Sequence, residues 1–247
     1  MIPIYDDNPA HRPPIVTVAL IALCVLAYFW QASLGPRAGS AVVYSFGFIP
    51  AVLFTDATLP PELAVVPAGV TLFTSMFLHG GFMHLAGNML YLWVFGNNIE
   101  DVCGHLRFLL FYLLCGVAAA FAQALPNPAS EVPMIGASGA ISGVLGAYLL
   151  LFPHARVHVL VPFCIFWVYQ VPAGWLLGFW FVFQLLSGLG SDPTRPGVAF
   201  WAHIGGFVAG MALIFLFRER RFKIGGGHRV SVRGRSRIPP TGSGRWR

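Results

Sequence analysis

Apolar positions gather into long blocks along the 247-residue chain, and the charged positions fall almost entirely between them. A helix needs about 20 predominantly apolar residues to cross the hydrocarbon core of a bilayer. Five stretches approach or exceed that length: residues 14–34, 81–99, 106–125, 136–153 and 199–217. A further run, VHVLVPFCIFWVYQVPAGWLLGFWFVFQLLSG over 157–188, has room for one span or two. Pro162 and Pro172-Ala173-Gly174 interrupt it, so a single helix over its whole length is not expected.

Charge settles the count. Ten of the fifteen Lys and Arg residues lie after Phe217. If the 157–188 run crosses once, the chain has six spans. Arg12, Arg107, Arg156 and the ten tail residues then share the inner side, leaving Arg37 and Arg195 outside. A second crossing would send the basic tail outward, against the inside preference of Lys and Arg. Residues 157–169 are therefore expected to be interfacial or partly embedded. The organisation expected is a cytoplasmic segment 1–13, a membrane domain 14–217 and a basic cytoplasmic tail 218–247. From residue 224 the tail has Gly, Ser, Arg and Pro without an apolar period, a composition that reads as disordered. The first loop, about 35–80, is too apolar (FGFIPAVLF) for a solvated linker and is expected to sit partly in the outer leaflet.

Composition agrees with this layout. Hydrophobic residues make up 57% and charged residues 10%, against about 25% charged in soluble domains. The +6 charge is concentrated at one end, which suits an anionic lipid face rather than nucleic acid. The N-terminal MIPIYDDNPAHRPP lacks a basic signal-peptide start, so the first span is expected to remain as a helix. Cys24, Cys115 and Cys164 lie in apolar runs and Cys103 in a short loop, with no CxxC spacing. Neither a disulfide nor a thiolate metal site is expected.

Polar groups inside spans are costly and so draw attention as functional candidates. His84 and Asn88 share one helical face of span 2. Ser138, in GASGAISG, opens span 4, and His203, in FWAHIGGFVAG, opens span 6. Because even-numbered spans start on the outer side, Ser138, His84 and His203 fall at a similar depth in the outer half of the membrane. Gly139 and Gly143 could simply be a small-xxx-small packing pair. The shared depth of a serine and histidines favours nucleophilic catalysis, with an imidazole taking the hydroxyl proton. No Asp or Glu lies inside a span. Glu100 and Asp101 close span 2 at its inner end, and Glu131 and Asp192 fall in outer loops. A Ser138–His203 dyad is therefore expected rather than a triad. His84, Asn88 and the backbone N–H groups at the start of span 4 could hold an oxyanion. Gly136 and Gly139 would let a substrate backbone approach, and Gly206 and Gly210 would let span 6 pack closely on span 4. His105, His154 and His158 lie near inner boundaries and carry little functional weight.

These motifs, in this order on alternate helices, resemble the rhomboid family of intramembrane serine proteases. GASGA around Ser138 is similar to the family's nucleophile motif, AHIGGFVAG around His203 to its base motif, and HGGFMHLAGNM to the HxxxN of its second helix. The resemblance covers about residues 10–217. It implies an all-α polytopic bundle of six transmembrane helices with a long, partly embedded first loop. It also implies hydrolysis of peptide bonds in or near the spans of membrane-protein substrates. His84 and Asn88 then stabilise the oxyanion, and His79, matching a further family histidine, helps hold water. Ser142 stands where many members have an aromatic stacked on the base, and Val70-Thr71 where many have Trp-Arg. Something else must then orient the base. No metal or organic cofactor is implied. The partners implied are single-span membrane proteins and the bilayer, without nucleic acid, and the oligomeric state is left open. The alternative is an inactive rhomboid-like protein that binds membrane clients. A transporter would call for paired broken helices or inverted repeats, which are not evident. The charge pattern points to a bacterial plasma membrane with both termini cytoplasmic; an organelle membrane is the alternative.

Overall fold

In the computed structural model the described residues are 2–161, 167–192 and 197–225. Pro162, Cys164, Arg195 and the tail from 226 onward lie outside them. The helical bundle consists of α1 (Ile15–Ser33), α5 (Phe82–Cys103), α6 (His105–Ala124), α7 (Ser138–Leu151), α8 (Ala173–Leu189) and α9 (Phe200–Phe217). Three of these, α1, α6 and α9, are long and apolar enough to cross a membrane by length and composition alone. Among the described residues of the 157–188 run there is one helix, α8, begun by the Pro172 that breaks the run. The apolar first loop folds into α2 (Gly35–Phe46), α3 (Pro50–Phe54) and α4 (Ala68–Thr74), then a 3₁₀ turn at Ser75–Phe77.

The central helix is α7. Its 14 residues are buried almost throughout and span only about 21 Å at 1.5 Å per residue. That is shorter than the roughly 30 Å thickness of a bilayer's hydrocarbon core. It packs most extensively on α9, along a seam of glycines. A Cβ on Gly206 would overlap the carbonyl oxygen of Gly139, and one on Gly210 that of Gly143. Only glycine lets the two backbones touch in this way.

At the opposite end from the start of α7, the chain adds a sheet that hydropathy did not foresee. β1 (Ile2–Asp6), β2 (Arg156–Val161) and β3 (Trp167–Pro172) form an antiparallel sheet in the order β1-β2-β3. The described residues of the segment expected to be interfacial thus lie in two antiparallel strands, registered from Arg156↔Pro172 to Val161↔Trp167. In RVHVLV, Val157 and Val159 alternate inward and are fully buried, a period-2 signal hidden inside an apolar average.

The same end buries two carboxylates. Helix α5 runs four residues past its expected end, so Glu100 and Asp101 are interior, at 0% and 1% exposure. Glu100 accepts the N–H groups of Val16 and Thr17, each at 2.8 Å, and the Thr17 hydroxyl at 2.7 Å. These are first-turn donors of α1, which Pro14 and the preceding residues leave uncapped. Asp101 accepts the N–H groups of His11 and Arg12.

Candidate active site

At the end away from the sheet, the starts of α5, α7 and α9 meet around an open cavity of about 770 Å³. Ser138 is the first residue of α7. The turn into it is made at Gly136, whose φ is +123°, a region open to glycine but strained for other residues. The Gly136 N–H donates to the carbonyl of Ser75 at 2.9 Å. A Cβ on Gly136 would lie 2.8 Å from Nε2 of His84. Gly136 thus serves both the turn and the approach of His84.

His203 lies in the first turn of α9, which Gln123 of α6 anchors by accepting the Ala202 N–H at 3.1 Å. The Ser138 hydroxyl is 2.8 Å from His203 Nε2. The other ring nitrogen, Nδ1, is 2.8 Å from Oε1 of Gln184 on α8. An amide oxygen only accepts, so Nδ1 carries the proton and Nε2 presents its lone pair to the hydroxyl. The Trp180 ring, one turn before Gln184, lies tilted by 37° against His203 with centroids 5.8 Å apart. The Ser142 hydroxyl points back along its own helix and donates to the Ser138 carbonyl at 2.6 Å.

His84 and Asn88 line the cavity together with Ser138 and His203. The Gly80 N–H donates to His84 Nδ1 over a long 3.4 Å, which leaves Nε2–H as the donor toward the Gly136 side. The Asn88 amide nitrogen is buried and has no partner among the described residues. Asn88 itself lines the cavity wall. His79, 1% exposed, stands behind His84 with ring centroids 5.2 Å apart. No cluster of three or more His, Cys, Asp or Glu side chains suited to a metal ion occurs among the described residues.

The residues singled out in the sequence thus converge: Ser138, His203, His84 and Asn88 on one cavity, Gly136 at its turn, and Gly139, Gly206 and Gly210 in the seam beneath. Gln184 and Trp180 were missed. The signal was there, since an amide in the apolar FWFVFQLL is as unusual as a histidine.

The family profile described as the Rhomboid domain matches residues 68–220, more than half of the chain. The chain belongs to the rhomboid family. Rhomboid protein 1, mitochondrial, of Saccharomyces cerevisiae is 32% identical over 152 residues, covering 59% of this chain and 41% of that protein. Rhomboid protease GluP of Bacillus subtilis is 35% identical over 138 residues, covering 55% and 24%. RHOMBOID-like protein 6, mitochondrial, of Arabidopsis thaliana is 34% identical over 145 residues, covering 59% and 42%. The chain spans less than half the length of each of these relatives. Family and apolar helices together make this rhomboid an integral membrane protein with a helical bundle.

Proposed function

We propose that this rhomboid is a serine-type intramembrane endopeptidase acting on single-span membrane proteins. The observation that carries the reading is the Ser138 hydroxyl 2.8 Å from a ring nitrogen of His203, at the start of α7 on an open cavity. Ser138 Oγ attacks the scissile carbonyl while His203 Nε2 takes its proton. The negative charge on the carbonyl oxygen is met by Asn88 Nδ2–H, His84 Nε2–H and the free N–H groups opening α7. Collapse of the intermediate breaks the C–N bond, and His203 gives its proton to the leaving amine. Water, deprotonated by the same nitrogen, then hydrolyses the acyl ester and restores Ser138. His79, behind His84, adds a polar group that helps retain that water.

A folded helix hides its carbonyls, so the substrate must unwind locally where it meets the cavity; small and helix-breaking residues there assist. The basic residues favour both termini in the cytoplasm and the cavity in the outer half of a bacterial plasma membrane. The mitochondrial names of two relatives make an organelle membrane the competing placement. The test is purified protein in liposomes with a single-span substrate carrying small and helix-breaking residues. Product masses should show cleavage in or beside the span, absent with Ser138→Ala and with His203→Ala. Cleavage that survives Ser138→Ala would overturn the reading.

A further inference from the structure

We infer that Gln184 is a positioning residue for the base, fixing the tautomer and plane of His203 from α8. The inference rests on reading Ser138 and His203 as nucleophile and base. A neutral imidazole has two tautomers, and only the one protonated on Nδ1 leaves Nε2 free to take the serine proton. In an apolar setting nothing but a specific partner selects between them. Gln184 is that partner: it is 6% exposed and its Oε1 is 2.8 Å from Nδ1. When His203 becomes an imidazolium, the same oxygen holds the Nδ1–H and its dipole stabilises the charge. Trp180, four residues earlier on the same face, closes one side of the ring at 5.8 Å between centroids. Gln184 and Trp180 together meet the need, left open by Ser142, for something to orient the base.

The other titratable groups on this cavity are His84 and Tyr91 from α5 and Asp192 beyond α8; α6 presents the neutral Gln123, and α7 presents Ser138 itself. Gln184 and Trp180 both belong to α8, a different element from those carrying Ser138 and His203. The catalytic geometry therefore depends on α8 staying docked against α9.

Gln184→Leu keeps the bulk and removes the acceptor. Gln184→Glu keeps an acceptor and adds a charge, which stabilises the imidazolium. Both are compared with the unaltered protein in liposomes, using the single-span substrate and the rate of Ser138 labelling by a fluorophosphonate. Gln184→Leu should lower kcat and the labelling rate by roughly 10–100-fold, a share of what general-base catalysis supplies, with KM little changed. Gln184→Glu should retain activity at neutral pH and move the acid limb of kcat/KM to higher pH. A merely structural glutamine would not shift that limb. Should the Leu variant fail to fold, the Glu variant decides alone: an unmoved acid limb overturns the inference. If the unaltered protein cleaves and labels at Ser138 while both variants match it, this inference fails and the protease reading stands. If the unaltered protein neither cleaves nor labels, the protease reading fails, and the inference with it.

Discussion

A serine hydroxyl is a poor nucleophile until a base stands within hydrogen-bond reach, and the 2.8 Å between Ser138 and His203 meets that condition. What the pair cannot do is hold the charge that develops on the carbonyl oxygen. In the proposed mechanism Asn88 does that, with an amide nitrogen buried and unpartnered among the described residues. Asn88→Ala should therefore lower kcat on the order of 100-fold without lowering the melting temperature, because the amide nitrogen has no partner among the described residues to lose. An unchanged kcat would remove Asn88 from the reaction. At this scale the sequence was informative for a physical reason: Ser138, His203, His84 and Asn88 are polar groups in segments where polarity is costly. Gln184 has the same signature, but a search for a third group framed around carboxylates passes over an amide.

Among the elements, the decisive pair is α7 and α9, joined where Gly139 and Gly143 face Gly206 and Gly210. Closeness of the two backbones sets the distance between a serine on one helix and a histidine on the other. A methyl group at Gly206 meets the Gly139 carbonyl, so Gly206→Ala should separate the helices. The expected cost is about 1–3 kcal/mol of overpacking, read as a lower melting temperature and at least a tenfold loss of cleavage. Gly178→Ala on α8 is the control, since nothing lies within 4 Å of its added Cβ, and it should leave both unchanged. Equal behaviour of the two variants would sink the role given to the seam. The small-residue spacing made this contact readable in advance. The β2–β3 pairing was not readable, because the alternation in RVHVLV vanishes in a long hydropathy window. Nor was the extension of α5, whose buried Glu100 makes sense only once the donors of α1 are seen beside it.

Over the whole molecule, the open cavity at one end contrasts with a tightly tied opposite end. There Asp6 of β1 accepts from the amide of Asn98 on α5 at 2.9 Å and from the hydroxyl of Tyr148 on α7. Arg12 pairs with Glu219 at 2.6 Å, and Glu219 with Arg221 at 2.8 Å. The N-terminal segment thus straps together the ends of α5, α7 and α9. Burial above all pushes the Asp6 carboxyl up from 3.8 to about 6, although the Tyr148 hydrogen bond acts the other way. The folded chain then binds this proton more tightly than the unfolded chain. The associated stability is full below pH 3.8 and is lost as pH rises through about 6. The melting temperature in detergent should accordingly fall between about pH 4 and 6.5, and Asp6→Asn should fall less. Parallel curves for the two proteins would contradict the strap's titration. Long-range pairings such as Asp6 with Tyr148, 142 residues apart, leave no mark in a local pattern, so this end of the molecule was legible only as an inner charge cluster.

The account stands or falls on Ser138 being a nucleophile activated by His203. The most direct measurement is the mass of the peptide containing residue 138 after treating the folded protein in liposomes with a fluorophosphonate. An adduct on Ser138 is expected, absent in Ser138→Ala and formed at least 100-fold more slowly in His203→Ala, in line with what a general base contributes. A folded protein that takes up no adduct, or one whose His203→Ala variant labels at the unaltered rate, would contradict it.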